Sequence, residues 1–330
     1  MRRRSFLNLV VGTVAALPYA GGAQQPKPNI RRIGALWSLA EENPDMQARL
    51  IQFHQGLARL GWSEGKNIRV DGRFAAGEAA RFEQLAKDLV GSSPEVIVAQ
   101  STPVALALLR QTRSIPIVFF SVSDPIGSGL IASLAHPTGN ATGVLLYEEG
   151  ITGKWLAMLK EVAPKTARVA IVANPKTTPF DYFLRTAKAP AATLGVDVVP
   201  TPIETAADIE RALGEFASKP FGGLLSPPDT TSIAHRDLLV ALAVKHRLPS
   251  VYGYKSFTTA GGLMSYSTDV PQQNRLVASL VDRILRGAVP ADLPVETPTR
   301  YETAINASTA KALGLEIPSA LIARADDVVE

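Results

Sequence analysis

From residue 31 onward the chain alternates short apolar runs with stretches of helical periodicity. Ile33–Trp37 has the composition of a buried strand, and the apolar residues between Met46 and Leu60 recur at intervals of three and four, as on one face of a helix. This order repeats, with further strands predicted at 68–74, 96–99, 115–121, 141–146, 169–172, 196–199, 223–225 and 250–252. Such alternation builds parallel sheets covered on both faces and predicts an α/β fold.

The strand and helix units fall into two consecutive series, which predicts two doubly wound parallel-sheet lobes. The segments left over, at 262–266, 272–285 and 300–305, are too short for a third domain. We expect lobe one to comprise 31–143 plus 258–292, and lobe two to comprise 144–257 plus 293–330. The chain would then cross between the lobes near 139–145, 254–262 and 290–299, and this three-crossing connection would act as a hinge. Ligands of open parallel sheets bind beyond the carboxyl ends of the strands, so two facing lobes would enclose a cleft.

The first 23 residues predict an export signal. Arg2, Arg3 and Arg4 precede an apolar run at 6–16, and small residues follow at 21–23. The apolar run is too short to span a bilayer permanently. The order Arg-Arg-Ser-Phe-Leu at 3–7 also fits a twin-arginine signal, with the ordinary secretory route as the alternative. We therefore expect a periplasmic protein in which 24–30 forms a flexible arm.

Charge and cysteine content exclude several classes of function. The formal net charge is +4, and three of the arginines lie in the signal, so the rest of the chain is close to neutral. This balance argues against nucleic acid or an anionic membrane surface as a partner. The chain has no cysteine, which excludes thiol catalysis and cysteine-based metal sites. The four histidines are scattered without metal-ligand spacing, so we expect no metal and no cofactor.

Polar and aromatic residues follow the predicted strands and are the candidate ligand-binding residues. They are Trp37, Ser101, Thr102, Ser123, Asp124, Asn174, Asp229, Tyr252 and Tyr266. Ser101 and Thr102 come at a helix start followed by proline, where exposed backbone amides suit a carboxylate. Asp124 or Asp229 would bind an amine, and the aromatic residues would stack on a ring. The alternatives are that Ser101 and Asp124 only act as helix N-caps and that Trp37 and Tyr266 only pack the lobes.

No arrangement of residues predicts catalysis. Gly127–Ala132 matches a dinucleotide-binding pattern, but its glycines come about six residues after the strand rather than in the tight turn, so we interpret them as close-packing positions. Neither a nucleophile elbow nor a P-loop occurs. We therefore expect a binding protein and not an enzyme.

Several segments in order resemble the substrate-binding proteins of ABC transporters of the tryptophan/tyrosine-uptake-like family. They are IPIVFF at 115–120 leading to SDP at 123–125, LAHPTGNATG at 134–143, AGGLMSY at 260–266, AVPADLPVE at 288–296 and AKALGL at 310–315. The resemblance runs from about residue 32 to 329. It implies a type I periplasmic-binding-protein fold whose strand-end loops bind the ligand, and it maps those loops onto the nine candidates above.

The sequence thus favours a monomeric, periplasmic receptor that closes over an amino acid or small aromatic carboxylate. The resemblance implies delivery to an ABC permease and its ATPase subunit. Two alternatives remain, a receptor that signals to a membrane kinase or chemoreceptor and an exported enzyme of the same fold.

Overall fold

The computed structural model describes residues 30–148 and 150–330. The expected export signal and all but the last residue of the expected arm lie outside this range. Among the described helices, none combines the length and apolar character needed to cross a membrane.

Twelve strands and twelve α-helices follow one another along the described chain. The strands are β1 (Arg31–Trp37), β2 (Ile68–Phe74), β3 (Val96–Gln100), β4 (Ile117–Val122), β5 (Ala141–Leu145), β6 (Arg168–Ala173), β7 (Asp197–Pro202), β8 (Gly222–Ser226), β9 (Ser250–Tyr252), β10 (Met264–Thr268), β11 (Tyr301–Asn306) and β12 (Asp327–Val329). The helices are α1 (Pro44–Arg59), α2 (Phe82–Gly91), α3 (Thr102–Gln111), α4 (Ile151–Val162), α5 (Phe180–Leu194), α6 (Ala206–Ala217), α7 (Thr230–Ala234), α8 (Arg236–Lys245), α9 (Lys255–Thr259), α10 (Val270–Leu285), α11 (Ala307–Leu313) and α12 (Ser319–Arg324).

The strands form two sheets, one in each lobe. The first has five strands in the order β2-β1-β3-β4-β5, and all of its pairings are parallel. The second has seven strands in the order β12-β11-β10-β9-β8-β6-β7, and only the pair β10 and β11 is antiparallel. This confirms the predicted fold class of two mostly parallel α/β lobes.

One segment lies in the other lobe from the one expected. We assigned 262–266 to lobe one, but β10 pairs with β9 and β11 in the second sheet, so that assignment is wrong. The chain returns to lobe one only after β10, when α10 packs on α1 and against β3, β4 and β5. The second crossing therefore lies near Asp269 and not within 254–262. The length of the segment does not indicate which lobe contains β10, because that depends on which strands β10 pairs with.

A close contact between helices attaches α10 to lobe one. A Cβ at Gly56 in α1 would lie 2.9 Å from the Cβ of Ala278 in α10, so the two helices approach as closely as a small residue allows. The buried face of α10, including Val277 and Val281, completes the apolar core on this side of the first sheet.

The segment 127–134, which contains the glycine pattern, forms turns and bends. The Asp124 carboxylate accepts a hydrogen bond from the amide of Gly127 at 2.9 Å. A Cβ at Gly127 would lie 2.3 Å from that carboxylate, so glycine is needed for this turn to close. Gly127 is thus a close-packing position, as expected, whereas Gly129 has open space around it and a φ of +74°, a backbone conformation that favours glycine.

Candidate functional site

A small cavity lies between the lobes, where the carboxyl ends of strands from both sheets meet. Its walls are formed by Ser38, Gln100, Ser101, Thr102, Ser121, Ser123, Thr177, Thr178, Pro179, Pro228, Asp229, Thr230, Ile233 and Tyr254. Its volume is about 20 Å³, which is room for about one water molecule. The lobes are therefore closed on each other, and a ligand enters only when they separate.

A larger groove, of about 910 Å³, lies on lobe two alone. Its walls include Thr166, Gly222 and Pro249, which stand at the amino ends of β6, β8 and β9. Ligands of parallel sheets bind at the opposite, carboxyl ends. We therefore take the small cavity between the lobes as the candidate site.

The end of β3 presents two hydroxyls without partners to this cavity. Ser101 has a φ of +86°, a conformation that non-glycine residues rarely adopt, and its side chain does not cap α3. The Ser101 and Thr102 hydroxyl oxygens are buried, and neither has a hydrogen-bond partner among the residues that the structure describes. Strained residues with unmet hydrogen bonds are typical of ligand sites. Beside them, the first turn of α3 has amides that suit an anion.

A β-bulge at the end of β4 turns Ser121 towards the cavity. The pairing of β4 with β5 shifts register between Phe119 and Val122, and Ser121 has a φ of +53°. Its hydroxyl donates to the Gln273 side chain on α10 at 3.2 Å, and Gln273 donates to the carbonyl of Leu145 at 3.2 Å. This chain of hydrogen bonds joins the cavity wall to the first two of the three crossings between the lobes, at the end of β5 and the start of α10.

Asp229 forms the facing wall from lobe two and is only 3% exposed. One carboxylate oxygen accepts from the amide and hydroxyl of Ser232, at 2.8 and 2.9 Å, which caps α7. The other accepts from the Thr177 hydroxyl at 2.5 Å. Burial raises the pKa of Asp229 above its ordinary value, and these hydrogen bonds oppose the rise without cancelling it. The site therefore holds a desolvated carboxyl group with no cation beside it, suited to an ammonium group.

Three polar contacts join the closed lobes around the cavity. The Thr230 hydroxyl donates to that of Ser38 at 3.1 Å. Ion pairs join Arg236 to Asp45 at 3.0 Å and Arg185 to Asp124 at 3.1 Å. Because each contact has one partner in each lobe, opening the hinge breaks all three.

We expect these ion pairs to favour closure. The double variant Asp45→Asn, Asp124→Asn should show a larger radius of gyration by small-angle X-ray scattering without ligand, since each partly exposed pair contributes up to about 1 kcal/mol. Arg324→Gln, which removes an ion pair to Glu161 within lobe two, is the control. An unchanged radius in the double variant would show that the ion pairs do not hold the lobes together.

Four of the nine predicted residues lie in the cavity wall. They are Ser101, Thr102, Ser123 and Asp229. Asn174 lies just behind it, where its amide donates to the Thr231 hydroxyl at 2.8 Å. Asp124 does not reach the cavity, because it is bound by the Gly127 amide and by Arg185. Asp124 thus caps a turn and not the helix that the alternative predicted, and the Ser101 side chain caps no helix either.

The three predicted aromatic residues lie outside the cavity wall. Trp37 is 1% exposed and packs edge-on against Phe53 and Phe120. Tyr252 is fully buried and stacks on Phe257, with ring centroids 4.9 Å apart. Tyr266 stacks on Tyr301 on another side of lobe two, and the Lys154 ammonium donates to its hydroxyl. We expected these residues at the ligand because they end or follow strands, but their side chains point into the lobes.

Tyr254 supplies the aromatic wall that the sequence did not identify. It follows β9 by two residues, is 8% exposed, and lines the cavity. Burial raises the pKa of its hydroxyl, and the Arg49 charge opposes this rise. Further wall residues that were missed are Ser38, Gln100, Ser121, Thr177, Thr178 and Thr230. The available signal was that Ser38, Gln100 and Ser121 end or follow strands, as the chosen residues do.

No metal centre is formed by the described residues, among which no three histidine or acidic side chains come close enough together to hold an ion.

Two α/β lobes closed over a polar cavity at their strand ends define a type I periplasmic-binding-protein fold. The chain belongs to the family of ABC transporter substrate-binding proteins, whose model it matches over residues 42–329.

Individual proteins are similar to this chain. A tyrosine-binding protein from Clostridioides difficile is 26% identical over 279 residues, which cover 84% of this chain and 80% of that protein. A conserved domain protein from Vibrio cholerae is 29% identical and superposes with a TM-score of 0.84, covering 90% of this chain and 99% of that one. A Streptococcus pneumonia structure, an ABC domain in complex with L-Trp, is 23% identical, has the same TM-score of 0.84, and covers 91% and 100% of the two chains.

Proposed function

We propose that this protein is the periplasmic receptor of an ABC importer and captures an amino acid or small aromatic carboxylate between its lobes. The observation that carries the proposal is the set of polar residues on the two facing walls of the cavity between the lobes. Lobe one presents the unpartnered hydroxyls of Ser101 and Thr102 beside the start of α3, and lobe two presents the buried carboxyl of Asp229.

These two walls match the two charged ends of an amino acid. The α3 amides and the hydroxyls of Ser101 and Thr102 would bind the carboxylate, and Asp229 would bind the ammonium group. A ligand bound in this way touches both lobes at once. It therefore stabilises the closed form by its differential affinity for that form, and closure can report occupancy to a membrane partner.

The relatives support this ligand class and this role. The C. difficile relative is named a tyrosine-binding protein, and the S. pneumonia structure contains L-Trp. The export signal predicted from residues 1–23, by the twin-arginine or the secretory route, would place the receptor in the periplasm, where it would meet an ABC permease and its ATPase subunit. We propose a binding role without catalysis and without a cofactor.

Thermal unfolding of the purified protein with each amino acid, followed by calorimetry on the hits, tests the proposal. A ligand present at 100 times its Kd stabilises the closed form by about 2.7 kcal/mol, which raises the midpoint by several degrees. We expect L-tyrosine or L-tryptophan to give the largest rise. If no amino acid or aromatic acid shifts the midpoint, the proposed ligand class is wrong.

A further inference from the structure

A second cavity adjoins the polar one and shares Tyr254 and Ile233 with it as wall residues. This second cavity has a volume of about 300 Å³ and lies between α1 of lobe one and the segments of lobe two around α9 and β10. It is thus much larger than the polar cavity. It has room for a side chain, whereas the polar cavity of the closed form has room for about one water molecule and must widen to hold a ligand's charged groups.

Arg49 is the buried cation in the wall of this second cavity. It lies on the inward face of α1 and is 3% exposed. Its guanidinium carbon lies 5.3 Å from the centroid of the Tyr254 ring, and its Nη1 has no hydrogen-bond partner within residues 30–148 and 150–330. Arg49 therefore faces the same tyrosine that lines the polar cavity.

No carboxylate of the described residues forms an ion pair with Arg49, although two acids line the same cavity. Asp45 pairs with Arg236 at 3.0 Å, and Glu302 lies 3.8 Å from the Lys255 ammonium. A buried guanidinium with an unmet donor is costly, and a charge-assisted hydrogen bond to an added acceptor relieves that cost. The geometry calls for an acceptor that the described protein does not supply.

The remaining wall suits an aromatic ring. Val270, Pro271 and Ala48 give it apolar surface, and the face of Tyr254 is near. A ring in this space can pack against Tyr254 and these apolar side chains, edge-on to the guanidinium. An acceptor at the far end of such a ring would then meet Nη1.

We infer that the second cavity is the side-chain subsite and that Arg49 selects an aromatic amino acid carrying a hydrogen-bond acceptor on its ring, as in tyrosine. The inference rests on the proposed function and adds the identity of the side chain to it. The ligand's charged groups lie in the polar cavity, its ring passes Tyr254, and its phenol oxygen accepts from Arg49.

The test is a calorimetric comparison of L-tyrosine with L-phenylalanine, which differ only in the phenol oxygen. We expect the wild type to bind tyrosine about 10- to 100-fold more tightly, the range of a hydrogen bond to a charged group. In Arg49→Met this preference should fall to about threefold or less, with phenylalanine affinity largely retained, because methionine keeps an apolar side chain but lacks the guanidinium that donates to the phenol oxygen. Arg49→Lys, which keeps a charged donor, should retain part of the preference.

Arg59→Met, an exposed arginine in the last turn of the same helix, is the matched control and should bind as the wild type does. If the wild type binds phenylalanine or tryptophan more tightly than tyrosine, the inference is overturned and the proposed function is not. This measurement uses the wild type and does not depend on whether a variant folds. Equal loss of both ligands in a folded Arg49→Met also overturns it, since Arg49 would then be structural. A wild type that binds no amino acid overturns the proposed function together with the inference.

Discussion

Asp229→Asn is expected to weaken amino-acid binding by about 100-fold or more while leaving the unliganded protein at least as stable as the wild type. Removing one partner of a buried charged pair costs about 3–5 kcal/mol of binding energy. Asparagine keeps an oxygen for the Ser232 amide and is itself a good helix cap, so α7 retains its start. It also removes a carboxyl group whose burial is unfavourable without a cation.

The comparison needs calorimetry for affinity and thermal unfolding for stability. Asp197→Asn, an exposed aspartate at the start of β7, is the matched control and should change neither quantity. Ligand affinity equal to that of the wild type in Asp229→Asn would show that the ammonium group is bound elsewhere.

The same carboxyl group predicts a pH dependence. Because the folded-state pKa of Asp229 lies above the unfolded value, its contribution favours the folded protein at low pH and is lost as pH rises through the raised pKa. Ligand affinity should change in the opposite direction, since an ammonium group binds the ionised form. The variant Asp229→Asn should lose both trends.

Gly143→Ala is expected to destabilise the protein by about 3 kcal/mol or more. A Cβ at Gly143 would lie 2.0 Å from the carbonyl oxygen of Phe119, which is backbone and cannot rotate away. Strands β4 and β5 must then separate, which disturbs the bulge at Ser121 and the hydrogen bond from the Glu296 amide to the Gly143 carbonyl at 2.9 Å. Changes that force backbone shifts in a packed core have costs of this size.

Urea unfolding gives the free energy for this variant. The control is Gly214→Ala in α6, where a new Cβ meets no atom within 4 Å. Alanine there should stabilise the protein by about 0.5–1 kcal/mol, the difference in helix propensity. A Gly143→Ala protein as stable as the wild type would show that β5 can shift without loss.

Local sequence determined the elements themselves. The bounds predicted for β2 and β9, 68–74 and 250–252, are those observed, because each strand has a period of two residues or is a short apolar run between turn residues. The polar residues at strand ends were also visible, since all parallel strands end at one edge of the sheet. Ser101, Thr102, Ser123 and Asp229 could therefore be chosen without a structure.

Tertiary structure decided the rest, because contacts between distant segments determine where a side chain points. Tyr252 and Tyr254 lie two residues apart, yet one stacks in the core of lobe two and the other lines the site. An arginine on an amphipathic helix predicts a solvent-exposed position, but closure of lobe two over α1 buries Arg49. The lobe that contains β10 likewise depends on its pairing with β9 and β11. The local sequence does not predict this pairing.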